Sequence, residues 1–373
     1  MTLFLCGDVM TGRGIDQILP HPSAPELYES YVHCAREYVE LAEHANGKIP
    51  ESRGFSYIWG DALAELDRHR PVLRIANLET AVTSSGEAWP GKGIHYRMNP
   101  RNVECLTEVG LDCCVLANNH TLDWGREGLA ETLRVLQTAA ISTAGAGMNL
   151  AQAREPACFQ LSDRQRVLVF ACGTLDCGIL PQWEATASRP GLYVLHDLSS
   201  RTVEEIATHI RSKRRHNDIV ILSLHWGENW GYEVSEDQRR FARRLIDVAG
   251  VDLVYGHSSH HPKPIEVYRG KLILYGCGDL LNDYEGIGGY ERFRAELGLM
   301  YFPELDRETG NLVRLLMRPT CIRQLKVNLA SLDEARWLAS VLSRECDRFG
   351  TSILLLPDGA LALEWPQALG AIA

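Results

Sequence analysis

Short apolar runs, rich in Val, Ile and Leu, alternate along this chain with longer stretches in which apolar residues recur every three or four positions. The runs at 3–6, 72–76, 113–117, 166–172, 219–224, 252–255 and 271–275 predict strands. The stretches at about 100–110, 126–139, 200–214 and 235–249 predict helices between them. The last of these has marked ends: Ser235 with Gln238 three positions on forms a capping box, and Gly250 supplies a C-terminal stop. This alternation predicts an α/β fold with a stacked or largely parallel sheet core.

Beyond Asp279 the pattern changes. Residues 297–326 read as two strands flanking the turn Asp306-Arg307-Glu308-Thr309-Gly310, and 331–349 as an amphipathic helix opened by Ser331 and Glu334. Two short strands follow around Asp358-Gly359. The expected organisation is a main domain over 1–295 and a small β-β-α-β-β accessory region over 296–373. Residues 21–60, rich in Pro, Glu and Tyr, read as an insertion over one face.

Composition narrows the function. Of 373 residues, 45% are hydrophobic and 23% charged, which suits a full core and not a disordered chain. A net charge of −10 argues against indiscriminate nucleic-acid or anionic-membrane binding. No apolar run approaches the ~20 residues that cross a bilayer. The opening Met-Thr-Leu-Phe-Leu-Cys-Gly-Asp has no charged leader or signal core, so no transmembrane anchor and a cytoplasmic location are expected. Eleven cysteines include no Cys-x-x-Cys pair, and Cys6, Cys113, Cys114, Cys172 and Cys277 sit in apolar runs. Buried thiols in a reducing compartment account for them.

The chemistry lies where the strands end. The first ends in Gly7-Asp8-Val9-Met10, the second in Asn77-Leu78-Glu79-Thr80, and the third in Asn118-Asn119-His120-Thr121-Leu122-Asp123. Later strands end in His225-Trp226-Gly227-Glu228, in Gly256-His257-Ser258-Ser259-His260-His261 and in Gly276-Cys277-Gly278-Asp279. In open α/β folds such carboxyl ends converge on one crevice. Asp8 and Glu79 offer anionic oxygens, Asn119 a carbonyl oxygen, and His225, His257 and His260 neutral imidazoles. Such mixed donors suit Zn, Mn, Fe or Co rather than Ca. Six donors suit two divalent ions, which supply Lewis acidity for water attack and clamp the attacking and leaving oxygens. Taken singly, Asp8 reads more readily as a cap and His225 as a hydrogen-bonded core histidine, and Asn119 suits a turn. Three imidazoles within five residues are harder to attribute to packing. Asn77, Asp123 and Glu228 are weaker members that orient ligands or cap loops.

These motifs, in this order, resemble the CapA (PgsA-type) poly-γ-glutamate capsule-synthesis family over about residues 2–285. That family is similar in fold to the calcineurin-like metallophosphoesterases, so the resemblance implies a four-layer α/β/β/α sandwich with a two-metal site. It implies Asp8 on the first ion, Glu79 as the bridging carboxylate, Asn119 and His225 on the second ion, and His257 with His260 completing the shell. His120 would be the general acid or a clamp on transition-state charge, with Asp123 carried beside it as a catalytic candidate. Three departures stand out. Met10 occupies a position where many phosphoesterases carry a ligand His, and Glu79 replaces an Asp. The last histidine ligand is either His260 or His261.

Arg13, Lys92, Arg97 and Lys263 lie near the strand ends and would serve an anionic substrate. Gly91-Lys92-Gly93-Ile94-His95-Tyr96-Arg97 reads equally as a basic binding loop and as a solvated turn, and His95 and Tyr96 equally as core. Asp279 adds a negative charge that would recruit a cationic substrate group or another ion. Trp226 and Trp230 would wall the pocket or fill a sheet–helix interface. Two functions are consistent with these features. One is a metallohydrolase with a dinuclear centre, attacking a phosphoester or a γ-glutamyl-type amide of a small anionic substrate or glutamyl polymer. The other is an auxiliary, non-catalytic component of poly-γ-glutamate synthesis.

Overall fold

The computed structural model describes residues 1–51 and 53–366. It is a mixed α/β protein with two large sheets. The first runs in the order Ser352–Leu355, Leu361–Glu364, Leu312–Ile322, Leu297–Leu305, Phe4–Val9, Arg74–Leu78, Cys113–Val115, Ser142–Ala144. Asp279–Leu281 also pairs with Phe4–Val9, and Val327–Leu329 with Leu312–Ile322. The second runs Val194–Leu195, Gln165–Thr174, Ile219–His225, Leu253–His257, Lys271–Leu274, Ile265–Tyr268, with Ala157–Ser162 beside Gln165–Thr174. Among the described residues no helix is long and apolar enough to cross a membrane.

Period-two alternation sorts the apolar side chains into three clusters. Leu3, Leu5, Ile75, Cys113 and Val115 of the first sheet share a cluster with Val167, Val169, Ile219, Ile221, Leu253 and Leu272 of the second. Phe4, Cys6, Ala76 and Cys114, on the alternate positions, pack instead with Ile15, Ala42, Leu66 and Leu129 from helices. Leu168, Phe170, Val220, Leu222 and Val254 pack with Val203, Ile206, Phe241 and Leu245 from the helices Ser200–Lys213 and Glu236–Asp247. Ile49, Ile58 and Trp59 bring the 21–60 segment onto the first sheet's helical side.

Helix placement agrees closely with the sequence pattern: Gly125–Thr138, Ser200–Lys213 and Glu236–Asp247. The capping boxes at Ser235–Gln238 and Ser331–Glu334 both form. The 100–110 helix is two pieces, a 3-10 turn Pro100–Val103 and then Glu104–Glu108. Arg36–Asn46 is a helix that the reading of 21–60 as an insertion overlooked, and Ala62–His69, just beyond it, is a helix the pattern did not predict.

Several strands run further than hydrophobicity predicts. Phe4–Val9 includes Asp8, Ile219–His225 includes its histidine, and Leu253–His257 includes His257. Neighbouring strands pair these polar residues, so the ladder rather than the apolar pattern sets the strand ends. The segment after 295 is not a separate sheet: Leu5 pairs with Tyr301, which makes Leu297–Leu305 an antiparallel neighbour of the first strand. The last seven residues of the expected 296–373 region lie outside the described residues.

Candidate metal centre

Strand register brings the polar residues together. In the first sheet Asp8 pairs with Asn77 on one side and Asp279 on the other. In the second, His225 pairs with His257. Gly7 makes the first of these approaches possible, because a Cβ there would lie 1.7 Å from the Gly278 carbonyl oxygen. After His257 the chain reverses through Ser258, whose φ of 105° is unusual for a non-glycine residue, and brings His260 back toward Asp8.

Two groups of buried donors result. Asp8, His225 and His257 each offer an atom within 4.8 Å of the others, and so do Asp8, His260 and Asp279. Asp8 belongs to both. Its Oδ1 accepts from Asn77 Nδ2 at 2.7 Å, whereas its Oδ2 is buried without a partner. Burial and the Asp279 carboxylate push Asp8 up to about 7, and burial with Asp8 pushes Glu79 well up. An unpartnered carboxylate oxygen amid these buried acids can be satisfied by a proton or by a cation.

The imidazoles fit the same cation. His225 Nδ1 and His257 Nδ1 lie 2.7 Å apart. On their far sides, His225 Nε2 meets Asn119 Oδ1 at 2.9 Å and His257 Nε2 meets Ser223 Oγ at 2.6 Å. His225 Nε2 donates to Asn119 Oδ1, so the His225 Nδ1 lone pair faces inward beside Asp8; where Ser223 Oγ accepts from His257 Nε2, the His257 Nδ1 lone pair faces inward too, and a metal ion can take both. Burial pushes His257 down to about 3 and His225 well down, so both are neutral at pH 7. Burial opposes the charge on His260 too, yet Asp279 at 3.1 Å from Nδ1 raises its pKa. His261 is committed elsewhere: Nε2 accepts from the Gly231 N–H at 3.0 Å and Nδ1 donates to the Pro262 carbonyl at 3.1 Å. Of the two histidines expected to compete for the last position, His260 reaches Asp8.

Glu79, expected to bridge, belongs to neither group. Its Oε2 accepts from Asn77 Nδ2 at 2.9 Å and its Oε1 lies 3.9 Å from His120 Nε2. Asn119, expected as a ligand, holds His225. Asp279, read as a substrate residue, is a potential metal ligand. His120 Nδ1 donates to Asp123 Oδ2 at 2.6 Å. Burial keeps His120 neutral, with its pKa down to about 4, while His120 and Lys92 hold Asp123 low against the effect of its burial.

The four basic side chains expected to meet substrate are occupied. Arg13 is buried, paired with Asp283 and with Glu29 at 2.9 Å, and lies over Tyr38. Its guanidinium is paired within the fold, and the residue also lines the cavity that opens beside His260. Arg97 donates to the Ser85 and Ala24 carbonyls and lies 3.8 Å from the Trp124 ring centroid. Lys92 donates to the Asn119 carbonyl and to Asp123, and Lys263 to the Glu233 carbonyl. His95 is buried, its Nε2 3.0 Å from the Trp89 carbonyl. Glu228 is exposed. Trp226 fills the core against Tyr275, whereas Trp230 stacks on Tyr290 at 4.0 Å.

Trp230 also lines a cavity of about 490 Å³ that opens beside His260 and Asn229 and extends to Arg294 and Arg323. Ser223 and Asn118 are site residues to which the sequence reading gave no role; Tyr96, read there as binding loop or core, packs on His120. Ser223 was legible in principle, since it lies two positions before His225 on one strand face. Asn118 bonds the Asn77 carboxamide and the Leu78 carbonyl, a role set by sheet pairing.

Residues 2–284 match the family described as bacterial capsule synthesis protein PGA_cap. A probable polyglutamine synthesis accessory protein of Mycobacterium tuberculosis is 45% identical over 362 residues, spanning 97% of this chain and 95% of that protein. The PGA biosynthesis protein CapA of Bacillus subtilis is 27% identical over 295 residues, spanning 79% and 66%. The capsule biosynthesis protein CapA of Bacillus anthracis is 27% identical over 283 residues, spanning 76% and 60%. The chain belongs to the CapA family of bacterial capsule-synthesis proteins.

Proposed function

We propose that this protein is a metal-dependent hydrolase that directs water at a phosphoester or γ-glutamyl-type amide of a small anionic substrate or glutamyl polymer. The observation that carries the reading is Asp8, shared between two donor groups with one oxygen unpartnered. Asp8, His225 and His257 would hold one divalent ion (Mn, Fe, Zn or Co) and Asp8, His260 and Asp279 a second. Bound there, the ions would supply Lewis acidity toward the substrate's electrophilic centre and its attacking water. Asn77 orients Asp8, while Asn119 Oδ1 fixes the His225 tautomer and Ser223 holds His257 Nε2. Asp123 holds the Nδ1 proton of His120, leaving Nε2 to take a proton from water and return it to the leaving group. The cavity beside His260 would seat the rest of the substrate, its length walled by Trp230 and Tyr290.

Three apolar clusters alternating with two sheets support a four-layer α/β/β/α arrangement of the metallophosphoesterase kind. Eleven free cysteines, nine of them buried, support a reducing compartment such as the cytoplasm. The names of the relatives favour a second reading, an auxiliary component of polymer synthesis without turnover.

Metal content separates the readings. Wild type purified without chelator should carry two transition-metal ions per chain. His257→Ala should lose the first, Asp279→Asn the second, and Asp8→Ala both. Protein that stays metal-free after incubation with Mn²⁺ or Zn²⁺ would remove the hydrolase reading and leave the auxiliary one. Metal-loaded protein should then be assayed on phosphoesters and γ-glutamyl amides.

A further inference from the structure

The segment 89–96 is tied to Asp123 at three points: the Trp89 N–H, the Lys92 ammonium and the Tyr96 N–H. Asp123 is buried, and both of its oxygens are taken: Oδ1 by the Lys92 ammonium, Oδ2 by His120 Nδ1 at 2.6 Å and by the Tyr96 N–H at 2.7 Å. With every approach to it a donor, Asp123 acts as an acceptor, which fixes the imidazole proton on Nδ1. Lys92 also donates to the Asn119 carbonyl at 2.5 Å, so its ammonium ties both ends of the 119–123 turn. Its 3.0 Å contact with His120 Nδ1 sets charge against the ring edge, because that nitrogen's proton already points to Asp123. The Lys92 side chain is only 12% exposed. Tyr96 completes the clamp by meeting the His120 ring edge-to-face, centroids 4.5 Å apart. Trp89 N–H donates to the Asp123 carbonyl at 2.7 Å, anchoring the start of the segment.

We propose that Lys92 is a positioning residue: its ammonium, with the Tyr96 N–H, locks the Asp123 carboxylate and through it aims His120 Nε2 at Glu79 and the metal centre. The proposal rests on the hydrolase reading. Without the ammonium, Asp123 Oδ1 is a buried oxygen with no donor, and the carboxylate is free to turn and carry the ring with it. An ordinary buried ion pair would stabilise the fold and leave turnover untouched, and the experiment distinguishes the two.

Wild type, Lys92→Ala and Lys92→Met, all loaded with Mn²⁺, are assayed on bis-p-nitrophenyl phosphate and γ-glutamyl-p-nitroanilide. The expected result is a kcat lowered about 10–100-fold with KM and metal content unchanged. Methylammonium should restore Lys92→Ala saturably and leave Lys92→Met unmoved, since only the first has room for it. An unchanged kcat, or a loss that tracks metal loss and ignores methylammonium, would overturn the proposal. Long-range ¹H–¹⁵N spectra of [¹⁵N]histidine-labelled protein give a readout independent of turnover. His120 should be the Nδ1–H tautomer in wild type and a mixture in Lys92→Met. If metal-loaded wild type turns over neither substrate, the hydrolase reading falls. The spectra then decide the positioning by themselves, because an unaltered His120 signal in Lys92→Met would overturn it.

Discussion

Asp8→Asn separates what the centre costs the fold from what it gives the chemistry. Burial, with the Asp279 carboxylate, pushes the Asp8 carboxyl from 3.8 up to about 7. Between these values the folded metal-free chain keeps a proton that the unfolded chain has released. Its stability therefore falls as pH rises, by up to about 1.4 kcal/mol per pH unit, and levels off above about 7. The full span amounts to about 4 kcal/mol, and sharing the proton with Glu79 reduces this to roughly 2–4 kcal/mol. Asparagine keeps the acceptor for Asn77 and presents an amide N–H to Glu79 with no charge to bury. For a chain of 373 residues, each kcal/mol moves the melting temperature by about 1.3 °C. In EDTA at pH 8 the variant should therefore melt roughly 3–5 °C above wild type, and within about 1 °C of it at pH 4.5. Excess Mn²⁺ or Zn²⁺ should reverse the order, because only wild type gains binding energy. Scanning calorimetry at both pH values, with and without EDTA, makes the measurement. Equal melting temperatures at pH 8 in EDTA, or a less stable variant, would refute the idea that Asp8 is a strained carboxylate held for a cation.

The same geometry fixes other outcomes. Trp230→Ala and Arg323→Ala, both in the cavity lining, should raise KM severalfold with kcat and metal content retained; a kcat effect alone would place substrate elsewhere. Arg97→Met should lower the melting temperature and leave KM unchanged, since its guanidinium is spent on Trp124 and two carbonyls; a raised KM would return it to the substrate. Gly7→Ala should cost roughly 4 kcal/mol or more, read as loss of folded protein, because its Cβ has no room against Gly278.

The sequence carried the donor types and the strands that bear them, because polar residues ending apolar runs are visible one at a time. It did not carry who faces whom. Asp279 read as an extra charge near a strand end, and only its pairing with Asp8 across parallel strands makes it a potential ligand. Glu79 and Asp8 both read as carboxylates after a strand, and Asn77 donates to both; the difference is that register places Asp8 alone within reach of His225, His257, His260 and Asp279. The basic loop was legible as basic, but a cation in a sequence does not announce whether a buried carboxylate already awaits it, as Asp123 awaits Lys92. His260 and His261 are adjacent and chemically identical, and only the backbone partners of His261 tell them apart.

The family match ends at residue 284, yet the strand that carries Asp8 leans on residues beyond 295. Phe4–Val9 is flanked on one side by Arg74–Leu78 and on the other by Asp279–Leu281 and Leu297–Leu305. Leu297, Leu299, Tyr301, Leu315 and Met317 are buried in the cluster shared by the two sheets, and the helix Leu332–Cys346 adds Leu338 and Leu342. At roughly 2 kcal/mol for each such side chain, their removal forfeits more than ~10 kcal/mol. Net stabilities lie at about 5–15 kcal/mol, so little or nothing would remain. The cut would also leave Phe4–Val9 with an open edge around Leu5, where Tyr301 pairs, a template for aggregation. A chain ending at 295 should therefore be recovered insoluble, or soluble without a cooperative melt and without metal. A soluble 1–295 fragment that melts cooperatively and binds two ions would show instead that the segment after 295 is a true accessory, and that the Asp8 strand is held by its parallel neighbours alone.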